Sequence, residues 1–123
     1  MPKAILANLA NIAAKLPEAI REDQGSHASF LVRKKVFAYF LNNHHSDGII
    51  SIACKALPGD IKSLAAAEPK RYYLPAYIGA RGWVALRLDQ GKVDWNEVSE
   101  LMLGSYLLTA PKTLARLINP PVR

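Results

Sequence analysis

The sequence predicts a single α+β domain: an antiparallel sheet with helices packed on one face. Three observations predict it. Helix-like and strand-like stretches follow in the order α, several β, α, β, αα, without the regular alternation that builds a parallel sheet. The early strand-like stretches are joined by connections short enough for a meander. The chain has 123 residues, 50% of them hydrophobic, so residues 1–123 make one domain able to bury about two thirds of its unfolded surface.

The first element is a helix. Ile5, Leu9, Ile12 and Leu16 form one apolar stripe at helical spacing, and Pro17 ends it. Asn8 and Asn11 interrupt any leader-like apolar run, so this segment reads as the core-packing helix of a cytoplasmic protein. Residues 29–33 and 36–41 are rich in β-branched and aromatic side chains and read as strands, with Lys34-Lys35 between them at hairpin length. Asn42 through Gly48 is a polar turn, and 49–54 reads as a third strand.

Leu57-Pro58-Gly59-Asp60 opens a short helix with Ile61, Leu64 and Ala65 on its apolar side, closed by Glu68-Pro69. Tyr72-Tyr73-Leu74 is a short extended piece. Residues 83–88 form the clearest strand: Val84, Leu86 and Leu88 face one way, Trp83, Ala85 and Arg87 the other. Asp94, with Glu97 three positions on, has the spacing of a capping box and opens a long helix over 94–109. Leu86 and Tyr106 both fall on apolar stripes and are expected in the core. Ala110-Pro111 breaks that helix and starts another, with Leu114, Leu117 and Ile118 on its apolar side.

Sixteen basic residues against ten acidic ones give a net charge of +6. The excess is uneven. Residues 62–92 hold Lys62, Lys70, Arg71, Arg81, Arg87 and Lys92 against Glu68 and Asp89, whereas 93–108 hold Asp94, Glu97 and Glu100 and no base. Two readings fit: a basic surface for a polyanion, or an ordinary solvated surface.

Several chemistries are excluded. One cysteine, Cys54, makes neither a disulfide framework nor a clustered-cysteine zinc site, and it reads as a small buried hydrophobe. No apolar run approaches the roughly 20 residues of a membrane span. There is no phosphate-cradling loop and no Gly-x-Gly-x-x-Gly, so no cofactor is expected. His44-His45 with Asp47 reads as a solvated loop rather than a metal site, since neighbouring residues in extended chain point apart and no further ligand recurs at a suitable spacing. His27 lies before a strand with no nucleophile elbow around it, and a structural histidine bonding loop backbone is the favoured reading over a general base. No catalytic residue is assigned.

Gly79-Ala80-Arg81-Gly82 has the Gly-x-x-Gly spacing of a backbone-clamping loop, though its flanks, Pro75 before and a strand after, are not the two helices of that motif. Its glycines still permit close approach, and Arg81 adds a fixed charge. Trp83 and Arg87, with Tyr77, then form an aromatic and basic face for phosphates and bases, or else Trp83 covers the outer sheet face with Arg87 along its ring.

Three segments carry a resemblance: 25–38 from Gly25-Ser26-His27 through Lys35-Val36-Phe37-Ala38, 75–84 through Tyr77 and Gly82-Trp83-Val84, and Ser105-Tyr106 with Ala110-Pro111-Lys112. Together they resemble the MmcQ/YjbR-like family over about residues 17–118. That family is largely uncharacterised. The resemblance implies a small bacterial cytoplasmic protein with an α+β fold like the double-wing module of a phage transcription factor and like frataxin. It therefore implies DNA binding by analogy of fold. Iron delivery of the frataxin kind does not carry over, because residues 2–17 contain Lys3 and Lys15 and no carboxylate.

The expected function is a non-enzymatic nucleic-acid-binding module using Lys34, Lys35, Arg71, Arg81, Trp83, Arg87 and Lys112, with the lysine pair at a wing-like hairpin tip. The alternative is a protein-interaction or small-ligand adaptor, with His27, Tyr77, Gly79 and Gly82 around a pocket. A third, less favoured reading is an enzyme, for which His27 and Tyr77 are the acid–base candidates. None of these readings needs a metal, a cofactor or a membrane.

Overall fold

The computed structural model describes residues 2–43 and 46–118. Helix α1 (Pro2–Ala13) opens the chain and ends before Pro17; it buries Leu9 of the expected stripe together with Ala13, while Ile5 and Ile12 are half-buried and Leu16 lies beyond the helix end. Four strands follow: β1 (Ile20–Gln24), β2 (His27–Val32), β3 (Lys35–Asn42) and β4 (Ile50–Lys55). Helix α2 (Pro58–Ala67) has a proline in its first turn, where a missing amide is harmless, and buries Ile61. The short strand β5 (Tyr72–Tyr73), a single 3₁₀ turn (Gly79–Arg81) and β6 (Trp83–Arg87) precede helices α3 (Trp95–Thr109) and α4 (Lys112–Ile118).

The sheet has six strands in the order β1-β2-β3-β4-β6-β5, and every neighbouring pair is antiparallel. The four α-helices of the described residues pack on one face. Leu9, Ile61, Val98, Met102, Tyr106 and Leu114 from the helices meet Phe30, Phe37, Phe40, Ile52, Val84 and Leu86 from the strands in one continuous core. Leu86 is 2% exposed and Tyr106 fully buried, with the Tyr106 ring edge-on to Phe37 at 5.4 Å. Cys54 is buried in the same core, and desolvation pushes its thiol up, away from reactive thiolate.

Among the described residues, the opposite face carries no α-helix. It is covered by its own side chains: Leu41, Ala53, Trp83 and Ala85 are buried there, with Tyr39, Tyr73, Val36 and Ile78 packed around them. Small residues sit in the middle rows and aromatic ones arch over them, so this face closes without a second layer. The Trp83 ring packs on Tyr39 at 5.1 Å, and the ammonium of Lys55 lies 5.6 Å above it. The cation along Trp83 is therefore Lys55, its cross-strand partner, and not Arg87.

Three local details depart from the sequence reading. Residues 20–24 form an extra edge strand, exposed at every position, paired to β2 through the Gly25-Ser26 turn in which Gly25 supplies φ +62°. The β2–β3 hairpin turns at Arg33-Lys34, and Lys35 is already paired with Val32. Both central residues have positive φ (49° and 68°), as the twist of a two-residue hairpin demands, although neither is glycine. Asp94 caps α3, accepting from the amides of Asn96 and Glu97, but the Glu97 side chain does not reach back and serves Arg71 and Tyr72 instead.

Candidate functional site

The strand register sorts the basic residues into two groups. Ala38 pairs with Cys54, and Lys55 with Trp83, so the start of β3, the end of β4 and the start of β6 lie at one end of the sheet. Lys34 and Lys35 belong to this end, as do Lys55 and Arg81. Tyr73 pairs with Ala85, so the chain leaving β5 also runs toward this end, and residues 74–82 form its loop. Helix α3 reaches the same level through Ser105, which touches Phe37 and Lys55, and Lys112 opens α4 beyond it.

The hairpin tip is held from below. Arg33 donates to both carboxylate oxygens of Glu18, at 2.6 and 2.9 Å, and Tyr106 donates to the carbonyl of the adjacent Pro17 at 2.6 Å. That leaves Lys34 and Lys35 as exposed cations on a braced tip.

The loop 74–82 is equally constrained. A Cβ at Gly79 would stand 3.0 Å from the Leu74 Cβ and 3.3 Å from its carbonyl carbon, so a side chain there would press on the chain at Leu74. Gly82 sits at φ +89°, and its carbonyl accepts from the Ala56 amide at 3.1 Å, which ties the loop to the end of β4. Tyr77 is held at φ +67° and is 80% exposed, an unusual place for a large aromatic side chain. Arg81 is exposed four residues on. Trp83, by contrast, is 6% exposed, with its faces taken by Tyr39 and Lys55.

Arg71 and Arg87 lie at the opposite end. The Arg71 guanidinium is ion-paired with Glu68 and Glu97. Tyr72 donates to the second oxygen of Glu97 at 2.8 Å, and burial together with this carboxylate raises its hydroxyl well above the usual phenol range. Arg87 pairs with Asp89 at 3.0 Å. Asp89 in turn accepts from the Ile50 amide at 3.2 Å. Burial works against its ionisation, but these donors prevail and hold the carboxyl below its usual value.

His27 begins β2 opposite Gln24, at the Arg87 end, so it is not brought to Tyr77, Gly79 and Gly82. The histidine pair His44-His45 lies outside the described residues. Among the described residues, no group of three or more histidine, cysteine or acidic side chains could hold a metal. None of their helices is long and apolar enough to cross a membrane.

A protein-family model described as YjbR matches residues 14–108. The chain belongs to the YjbR family. Its fold is shared with a crystal structure of a Deinococcus radiodurans protein described as a DUF419 domain: TM-score 0.72, 21% identity, 94% of this chain and 88% of that one covered. No curated protein is significantly similar to this YjbR chain. Two members of the basic end, Lys55 and Arg33, were not singled out by the sequence. Both carry ordinary strand-end signals, and only the pairing register reveals their position.

Proposed function

We propose that this YjbR-family protein binds nucleic acid through the phosphate backbone, using the basic end of the sheet. The observation that carries the proposal is the gathering of Lys34, Lys35, Lys55 and Arg81 at that end by the β3–β4–β6 register. β3 and β6 are two strand spacings apart, about 10 Å, so the hairpin tip and the Arg81 loop can reach neighbouring phosphates of one strand. Lys112, exposed at the start of α4, would add a further cation from the helix layer.

In this reading Tyr77 takes the stacking role, because it is exposed beside Arg81 while Trp83 is covered. Stacking on an aromatic ring tolerates every base, and phosphate contacts carry no sequence, so binding is non-specific or guided by shape. Arg71 and Arg87 contribute little, since each already neutralises carboxylates.

The test is a titration of a short duplex and a single strand against the protein at low and moderate salt. Affinity should fall steeply as salt rises, because each neutralised phosphate releases condensed counterions. The single strand should lose more than the duplex when Tyr77→Ala is introduced. Binding no tighter than about 100 μM at physiological salt, the weak end of ordinary non-specific association, removes the proposal and leaves an adaptor role.

A further inference from the structure

The helix layer contains a groove that backbone binding at the sheet end does not use. It lies between α2 and α3, has a volume of about 520 Å³, and is walled by Leu57, Leu64, Leu101 and Leu108. Leu57 and Leu108 are 57% and 51% exposed, an open position for large apolar side chains. The volume falls in the range of small-ligand sites.

One residue of the wall has no structural reason to be what it is. Gly104 lies in the interior of α3, on the stripe that carries Leu101 and Leu108. A Cβ built on it meets nothing within 4 Å, and its φ is not positive, so neither crowding nor backbone conformation calls for glycine. A helix-interior glycine weakens the helix relative to alanine. The missing side chain does one thing here: it keeps the groove open between the two leucines.

The groove also has a sign. Asp60, Glu97 and Glu100 line it, and among the described residues Lys55 is its one lining base. The Lys55 ammonium is turned to the Trp83 ring on the other sheet face, and Glu97 is neutralised by Arg71. Asp60 and Glu100 have no ion pair among the described residues. An apolar trough with two uncompensated carboxylates at its rim complements one ligand class. We propose that this groove binds a small organic cation, an apolar chain or ring bearing a protonated amine. The apolar body would lie over Gly104 between Leu64, Leu101 and Leu108, with the ammonium facing Asp60 and Glu100.

The experiment titrates the full isotope-labelled chain with octylammonium, and in parallel with octanoate and octanol, following backbone amide shifts. Octylammonium should give saturable shifts at Ser63, Glu100 and Gly104, with a Kd below about 1 mM and about tenfold tighter than octanoate. The double variant Asp60→Asn/Glu100→Gln, both exposed positions, should bring octylammonium down to the affinity of octanol. Gly104→Leu should fill the trough and abolish the shifts while the melting temperature holds or rises. Octanoate binding as tightly as octylammonium, saturable shifts absent from the groove, or undiminished binding by Gly104→Leu would each overturn the proposal.

Discussion

The hydroxyl of Ser105 stands inside the β3–β4 ladder, donating to the Phe37 carbonyl at 2.5 Å while accepting from the Lys55 amide at 2.9 Å. The cause is visible in the register. Phe30 pairs with Ala38 and Leu31 with Val36, so Phe37 is an extra residue, a bulge with no partner in β2. On its other side the ladder runs up to Ala38 and Cys54, and the next donor and acceptor, Lys55 N–H and Phe37 C=O, are spliced together by a helix side chain. One buried serine thus joins α3 to the sheet and satisfies two backbone groups at the base of the basic end.

Ser105→Ala should therefore cost about 1–3 kcal/mol, the penalty of leaving a buried donor or acceptor unsatisfied. Denaturant melts of the two proteins measure it. A loss below about 0.5 kcal/mol, the range of ordinary surface changes, would mean that Phe37 and Lys55 close up on each other without the serine.

A second expectation concerns the hairpin tip. Lys34 holds φ +68°, a conformation that costs an L side chain about 1–2 kcal/mol and glycine little. Lys34→Gly should raise stability by up to about 1 kcal/mol, after allowing for the extra chain entropy of glycine. The same change should weaken nucleic-acid binding. Stability rising as binding falls, read by denaturant melts and by titration on the same preparation, identifies a residue kept for its charge and not for its turn.

Asp89 makes the acid limb of stability predictable. Its carboxyl lies below the usual value of about 4 in the folded state, so the unfolded chain binds the proton more readily. Its contribution is fully present above the unfolded value and disappears as pH falls through the folded one. Asp89→Asn should lower stability at neutral pH and flatten the fall between about pH 4 and the acid side of it. Parallel melts at pH 7 and pH 3 give the comparison: the difference between the two proteins should shrink at the lower pH, and a constant difference would show that hydrogen bonding to Ile50, not charge, carries the effect.

What was legible in the sequence followed from periodicity. The alternation through Val84, Leu86 and Leu88 and the stripe through Val98, Met102 and Tyr106 are direct consequences of burial, and they located β6 and α3. β1 had no such signal, because Ile20–Gln24 is exposed on both faces and is held by ladder bonds alone, with Arg21 and Asp23 paired along its surface. Arg33-Lys34 lacks the glycine or asparagine that marks a two-residue turn, so the sequence points to a turn one residue later than the one that forms.

The candidate site was legible only in part, for the same reason. Net charge along the chain registers Arg71 as basic, but not that Glu97, 26 residues away, is folded against it. The helix-free sheet face hid Trp83, since strand alternation does not tell an open face from one roofed by Tyr39 and Lys55. The groove at Gly104 depends on two helices that the sequence separates, and nothing in either alone announces it.

The most direct test of the basic sheet end compares two variants in one salt titration of a short nucleic acid. Lys34→Ala/Lys35→Ala/Arg81→Ala removes three exposed cations at that end, and Arg71→Ala/Arg87→Ala removes two at the other, already paired with carboxylates. The first should flatten the slope of log affinity against log salt by about three units, roughly one per lost phosphate contact. The second should leave it within about half a unit, since no phosphate contact is lost. Equal flattening by the two variants, or a larger effect from the second, would contradict the assignment of binding to this end of the sheet.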